Sequence, residues 1–146
     1  MKKRYVVLMI AAAALVIALI GAIAVPYAVS MFVEEGKKRE CEDLLCDEAL
    51  EYLEQNVAGF DADVWQSARI LSTGSDDAVD AHNKENPDAY VYPFTESNIY
   101  FIPKDARLTE NADCWVVSFK LSAEKKHEIV EIRLIKYGDI DKDEEP

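Results

Sequence analysis

The feature that most constrains this chain is an uncharged run from Tyr5 to Val33. At about 1.5 Å per residue, its most apolar part, Tyr5 to Val25, would span about 32 Å as a helix, close to the roughly 30 Å of a bilayer core. Alanine, leucine, isoleucine and valine dominate this part, and these residues favour helix formation and insertion. Residues 1–33 therefore predict a single N-terminal transmembrane helix that binds the lipid bilayer.

A cleaved export signal is the alternative for the same residues. Lys2–Arg4 precede the apolar run, and Ala22–Ala24 or Ala28–Ser30 offer small residues for cleavage. Export signals usually have a shorter apolar region of about 7 to 15 residues, so we favour an uncleaved anchor. Both interpretations place the remaining chain outside the cytoplasm, and the anchored one predicts a single-pass cell-membrane protein with its C-terminal domain extracytoplasmic.

The charge distribution excludes one large class of partner. The chain has a net charge of -12, and because three of its 16 basic residues precede the apolar run, 13 basic residues face 28 acidic ones afterwards, a balance of 13 - 28 = -15. Nucleic-acid binding depends on basic surfaces, so nucleic acid is not an expected partner. The length left after the anchor suits one domain, which we assign to residues 34–138, with an acidic disordered tail at 139–146.

The residues after the apolar run have a helical period. From Arg39 to about Val57, apolar residues recur at three- and four-residue steps: Cys41, Leu45, Ala49, Tyr52 and Leu53. Acidic residues occupy the opposite side, so one face should pack and the other should be solvated. We expect Gly36 to hinge this helix to the anchor and the helix to end between Asn56 and Gly59.

The C-terminal half changes to the alternating period of half-buried strands. Trp115–Leu121 and Ile129–Tyr137 predict an antiparallel hairpin joined by Ser122–His127. Tyr90–Phe94 and Asn98–Ile102 are predicted to supply the neighbouring strands. The sequence thus predicts an α+β fold in which an amphipathic helix packs on a small antiparallel β-sheet.

Two segments between these elements are less regular. Asp61–Leu71 fits a short helix or a strand, and we predict a helix capped by Asp61 or Asp63. Asp76–Asn86 predicts another helical segment that ends before Pro87.

Three cysteines suggest one covalent link between helix and sheet. An oxidising extracytoplasmic setting would favour a disulfide between Cys46 and Cys114. At about 100° per residue, Cys41 and Cys46 point roughly 140° apart on their helix, so one partner cannot suit both. Cys41 is then expected to remain free or to form an intermolecular bond. The alternative is three thiols that serve as small apolar residues.

No pattern in the sequence predicts a catalytic, cofactor-binding or metal-binding site. The cysteine spacing is unlike that of structural zinc modules, and no Gly-x-Ser-x-Gly turn is present. His82 and His127 fall in connecting segments, where surface positions are expected. The residues identify no small-molecule substrate. We therefore expect a non-enzymatic, membrane-anchored accessory or interaction module whose partner is another envelope protein.

A resemblance to a known family supports a second interpretation. The stretch from Leu19 to Tyr27 resembles the N-terminal helix of type IV pilins, in which an apolar helix continues past a proline and its second half packs on an antiparallel sheet. Arg4 stands where pilins have a glycine before the processing point, and Met9 stands where they have a glutamate. The resemblance implies a pilin-like filament subunit as the alternative function.

Overall fold

A computed structural model describes the backbone of residues 2–105 and 111–143 and the side chains of residues 5–105 and 111–142. The fold is α+β, with one long N-terminal helix and a four-stranded antiparallel sheet. The chain divides into two compact units, Met1–Arg39 and Glu40–Pro146. The helices are α1 (Lys2–Asn56), α2 (Asp77–Glu85) and α3 (Ile140–Asp143), and the strands are β1 (Trp65–Thr73), β2 (Glu96–Pro103), β3 (Asp113–Leu121) and β4 (His127–Lys136).

The first unit is helical throughout its described residues, and it forms the N-terminal part of α1. From Tyr5 to Val33 its side chains are exposed, apart from the half-buried Gly21. By length and composition this helix can cross a membrane. At the predicted hinge the backbone is helical, since α1 includes both Pro26 and Gly36.

The end of α1 confirms the prediction from the sequence. The helix stops at Asn56, the amide of Val57 still donates to the carbonyl of Leu53 at 2.8 Å, and Gly59 has a φ of +77°. A positive φ of this kind reverses the chain after a helix, and glycine adopts it without a Cβ clash.

The segment predicted as a helix at Asp61–Leu71 is mostly β1, so that prediction is wrong. Asp61 does act as a cap, since its carboxylate accepts from the amide of Asp63 at 3.0 Å, but the turn extends only over Ala62–Val64. A bulge lies between Ser67 and Arg69, where β1 pairs with β2. The inserted residue breaks the alternation of side chains, which hid the strand period in the sequence.

The sheet has the strand order β1-β2-β3-β4, with every neighbouring pair antiparallel. The predicted β3–β4 hairpin is confirmed, as is a strand at Asn98–Ile102, which is part of β2. The prediction of a strand at Tyr90–Phe94 is wrong, because this segment is extended but pairs with no strand. The strand beside β2 is β1 instead. The predicted helix before Pro87 is confirmed as α2, capped by Asp76.

Two buried clusters flank the sheet. The first combines α1 with alternate residues of β2 and β3, and its members are Leu45, Ala49, Leu53, Tyr92, Ile99, Phe101, Val117 and Phe119. The second contains Tyr100, Ile102, Cys114, Val116 and Ile140. Because successive strand residues point to opposite faces, the two clusters lie on the two sides of β2 and β3.

The second cluster corrects the prediction for the C-terminal tail. Residues 137–143 form a 3₁₀ turn followed by α3, and Ile140 is only 4% exposed. The amide of Tyr137 donates to the carbonyl of Ala112 at 2.9 Å, and Arg69 forms an ion pair with Asp141. Burying Ile140 stabilises this segment, so residues 139–143 are not disordered in this structure. Residues 144–146 lie outside the described residues.

Candidate functional site

The structure does not contain the disulfide between Cys46 and Cys114 that the sequence analysis predicted. All three are thiols rather than a disulfide. Cys46 packs against the first cluster, whereas Cys114 belongs to the second. Trp115 also packs on the first cluster, and its strand neighbour Cys114 must point to the other face. The predicted Cys46–Cys114 bridge is therefore not formed, because the sheet separates the two side chains.

A groove of about 380 Å³ lies on the second unit. One wall is α1 between Cys41 and Glu48, the second is the extended segment Tyr90–Tyr92, and the third is the β3–β4 connection at Lys125–His127. Leu44 is 67% exposed at this groove, so it presents an apolar side chain to any molecule that enters. The third wall contributes Lys125 and Lys126, and Glu48 lies on the α1 wall.

Two histidines hold the extended wall in place. His127 Nε2 lies 2.7 Å from the carbonyl oxygen of Phe94, and its ring contacts Tyr92 edge-on at 5.6 Å between centroids. His82 Nε2 lies 3.0 Å from the carbonyl oxygen of Ala89. Both rings are partly exposed, His82 on α2 and His127 at the start of β4. Their contacts orient the segment that forms the groove wall.

Asn83 on α2 fixes the same wall from the other side. Its amide nitrogen donates to the carbonyl of Val91 at 2.7 Å, and its side-chain oxygen accepts from the amide of Val91 at 2.8 Å. This pair replaces the ladder hydrogen bonds that a strand would have provided. The segment is consequently ordered and extended without being part of the sheet.

A chain of hydroxyl groups connects the groove to the sheet. Tyr92 donates to the carboxylate of Glu42 at 2.8 Å, Ser72 Oγ lies 2.9 Å from the Tyr92 hydroxyl, and Ser97 Oγ lies 2.9 Å from Ser72 Oγ. Because the single Tyr92 proton goes to Glu42, the direction of donation is Ser97 to Ser72 to Tyr92. Ser97 is only 1% exposed, so this chain satisfies a polar group that would otherwise be costly to bury.

Two thiols and one phenol of this region have raised pKa values and so favour their neutral forms. Burial, followed by the neighbouring carboxylates of Glu40 and Glu42, raises the pKa of the Cys41 thiol. Burial also raises the pKa of Cys46, although a hydrogen bond with Ser67 acts in the opposite direction. The pKa of Tyr92 is raised as well, first by burial. A neutral thiol and a neutral phenol offer apolar contact and hydrogen bonding, and they are poor nucleophiles and bases near neutral pH.

Among the side chains of residues 5–105 and 111–142, no group of three or more His, Cys, Asp or Glu is arranged to hold a metal ion. Of the site residues that the sequence singled out, Cys41 lines the groove, whereas Cys46 and Cys114 do not. Sequence reasoning missed Tyr92, Ser72 and Ser97, which meet only through the fold. No protein-family model, curated protein or solved structure matches this chain.

Proposed function

We propose that this chain is a membrane-anchored, non-catalytic interaction module, in which the N-terminal part of α1 lies in a lipid bilayer and the second unit binds a protein of the cell envelope. The second unit would lie on the extracytoplasmic side, because the basic head at Lys2–Arg4 and the apolar run together have the form of an export signal.

The observation that carries this proposal is the exposure of one long apolar surface. The large apolar side chains from Tyr5 to Val33 are each more than half exposed, from 52% at Val33 to 79% at Phe32. In water such a surface would be strongly unfavourable at about 25 cal/mol per Å². Lipid covers it at no such cost, and the length matches a bilayer.

The second unit supplies the binding part of the proposal. We infer that residues 41–57 of α1 dock on the sheet, an arrangement supported by the first cluster, which Leu45, Ala49 and Leu53 share with β2 and β3. The groove beside this part of α1 combines the exposed Leu44 with Lys125 and Lys126. An acidic segment with an apolar side chain would complement it in charge and polarity.

Carbonate extraction of native membranes, combined with intact mass, tests the anchor. We expect the mass of all 146 residues in the lipid pellet. A shortened soluble species would replace the anchored module with a secreted domain. Orientation is tested with a membrane-impermeant maleimide on Glu54→Cys, at an exposed position, with the native protein as the control for labelling of its own thiols.

Capture of partners from detergent-solubilised membranes tests the groove. The full chain serves as bait, and Lys126→Glu serves as the variant that removes charge complementarity on one wall. Lys120→Glu changes the same charge outside the groove and is the matched control. Partners lost only with Lys126→Glu would support the groove, whereas equal recovery with all three baits would exclude it as the binding surface.

The pilin-like filament subunit is the second candidate function. The continuous passage of α1 through Pro26 favours it, since the resemblance described above implies this arrangement. Filaments formed by homotypic packing of Tyr5–Val33 would be visible by electron microscopy of sheared cell surfaces. Their absence from cells that produce the protein would exclude this candidate and leave the anchored module unaffected.

A further inference from the structure

The β3–β4 connection contains a residue in an uncommon backbone conformation. Among the residues that the structure describes, Lys125 is the one residue other than glycine with a positive φ, of +61°. Its amide donates to the carbonyl of Ser122 at 3.0 Å, and the amide of Ser122 donates to the carbonyl of Lys126 at 2.7 Å. Short hairpin connections commonly contain a left-handed residue of this kind before the second strand. The turn therefore requires the conformation, but it does not require a lysine.

Glycine would suit this position better than lysine if closing the turn were its only role. Glycine adopts a positive φ without steric cost, whereas the Cβ of any other residue crowds the following carbonyl oxygen. Residues held in such a conformation cluster at functional sites, so the observation points to a role for the side chain. The surroundings of Lys125 indicate what that role is.

The side chain of Lys125 lies at the groove. Lys125 is partly buried, whereas its neighbours Glu124 and Lys126 are exposed. Together with Leu44, which is 67% exposed on the α1 wall, it lines the groove. A cation and an apolar side chain are thus presented to the same occupant from two different walls.

The charge of Lys125 is not neutralised by an acid of the same domain. Lys120 and Lys136, on the strands that this connection joins, form ion pairs with Glu96 and Asp113. Among the side chains of residues 5–105 and 111–142, no acid forms an ion pair with Lys125. In a domain with so many acids, a partly buried lysine without an ion pair leaves its charge available to an acidic group of another molecule.

The connection is held in place before any partner binds. The hydrogen bonds with Ser122 close the turn, and His127 directly after it lies 2.7 Å from the carbonyl oxygen of Phe94 in the extended wall. An ordered turn loses less conformational entropy on binding than a mobile one does. Lys125 is therefore presented at a fixed position relative to the extended wall.

We propose that Lys125 is the specificity-determining residue of the groove, and that it selects a protein segment in which one acidic residue lies beside one apolar residue. The carboxylate pairs with Lys125, and the apolar side chain contacts Leu44. Glu48 on the α1 wall disfavours a second acid on that side. This inference rests on the proposed function and adds to it the chemistry of the partner and the residue that reads it.

Cys41 provides a native reporter, because it lines the same groove. The probes are bromoacetyl-Leu-Glu-amide and bromoacetyl-Leu-Gln-amide, which alkylate thiols and differ by one charge. They are applied to the full chain in detergent with Glu54→Cys as an internal reference at an exposed position. Peptide mass spectrometry gives the rate ratio of acidic to neutral probe at each thiol. The ratio should be at least about three-fold higher at Cys41, the factor for one pair of opposite charges about 6 Å apart in water.

Variants at Lys125 separate its charge from its backbone conformation. Lys125→Gly and Lys125→Asn both suit a positive φ and remove the charge, so each should abolish the preference for the acidic probe at Cys41. Lys125→Arg keeps the charge and should retain the preference. Lys126→Gln should have a smaller effect because Lys126 is exposed, and Lys120→Gln, outside the groove, should have none. Circular dichroism checks that each variant is folded.

The outcomes distinguish this proposal from the groove itself. Equal ratios at Cys41 and at Glu54→Cys, with Lys125 present, would overturn the charge complementarity of the groove and the proposal with it. A preference at Cys41 that survives both neutral substitutions of Lys125 would overturn the proposal alone and leave the groove as a binding surface for acidic segments.

Discussion

The two parts of α1 bear apolar residues in different arrangements and meet different surroundings. Between Tyr5 and Val33 apolar side chains cover all sides of the helix and are exposed in the protein. Between Cys41 and Leu53 apolar residues follow one side, and Leu45, Ala49 and Leu53 are 7%, 0% and 0% exposed. One continuous helix can thus be suited to lipid in one part and to a protein core in the other. The pattern of apolar residues, and not their number alone, makes this difference.

Charges in the uniform part should produce the largest effect. We expect Ile17→Arg with Ile20→Arg to release the protein from membranes, because each arginine near a bilayer centre costs about 3 kcal/mol, or about 6 kcal/mol together. Carbonate extraction and the fraction in the pellet measure this result.

The matched control places the same charge in the amphipathic part at an exposed position. Leu44→Arg should leave the protein in the pellet, because this side chain is 67% exposed outside the apolar run. Retention of the double arginine variant in the pellet would contradict the assignment of residues 5–33 to the bilayer.

Truncation in the amphipathic part should affect folding rather than membrane binding. Leu53→Ala should lower the free energy of unfolding by about 2 to 5 kcal/mol, because Leu53 is fully buried and the substitution leaves a cavity. Urea unfolding followed by circular dichroism or tryptophan fluorescence measures it. Leu44→Ala is the control and should change the free energy by less than about 0.5 kcal/mol. Equal effects at the two leucines would show that residues 41–57 do not contribute a core.

The sequence predicted the parts of this contrast that depend on local pattern. Uniform apolar residues, one-sided helical period and strict alternation around Val117 are visible without a fold, and α2, β2, β3 and β4 are confirmed. The sequence did not reveal β1, because the bulge after Ser67 disrupts its period. The sequence also did not reveal that the C-terminal segment packs on the second cluster. The buried residue Ile140 makes this contact, and it lies in a segment that is otherwise mostly acidic.

The candidate site was less accessible to sequence reasoning. Tyr92, Ser72 and Ser97 are separated in the chain and meet only after β1 and β2 pair, so no local spacing marks them. The Cys46–Cys114 prediction failed for a related reason. The prediction required knowing which face of β3 carries Cys114. Because both faces of β3 are buried by apolar residues, the sequence pattern does not distinguish them.

Removing the hydrogen bonds that link α1 to the sheet should have an intermediate effect on the free energy of unfolding. Tyr92→Phe removes the hydrogen bonds with Glu42 and Ser72 and should lower the free energy of unfolding by about 1 to 2 kcal/mol. Tyr52→Phe, at a tyrosine that is 38% exposed, is the matched control. A loss no greater than that of the control would show that this link does not stabilise the fold.

The same tyrosine predicts a pH dependence. Its pKa in the folded protein is raised above its ordinary value of 10.0, so its contribution is complete below that pH and is lost as the pH rises further. Unfolding measured across this range should show a smaller alkaline loss in Tyr92→Phe than in the native protein. Identical alkaline profiles would contradict a stabilising role for the protonated hydroxyl.

The smallest effect is expected at the thiol that lines the groove. Because the pKa of Cys41 is raised, its thiolate fraction at a given pH is lower, and alkylation should rise at a higher pH than for an ordinary thiol. Peptide mass spectrometry after timed iodoacetamide treatment distinguishes the cysteines, with Glu54→Cys as the exposed reference. Faster labelling of Cys41 than of this reference would contradict a half-buried thiol beside carboxylates.

The order of elements along the chain affects how the protein is made. Residues 41–57 leave the ribosome before their core partners Ile99 and Val117 have been synthesised. At about 5 to 20 residues per second, the roughly 60 residues between Val57 and Val117 take about 3 to 12 seconds. During that interval a nascent helix exposes an apolar stripe that it will later bury. The amphipathic part of α1 should therefore become protected from solvent only after the β3 segment has emerged.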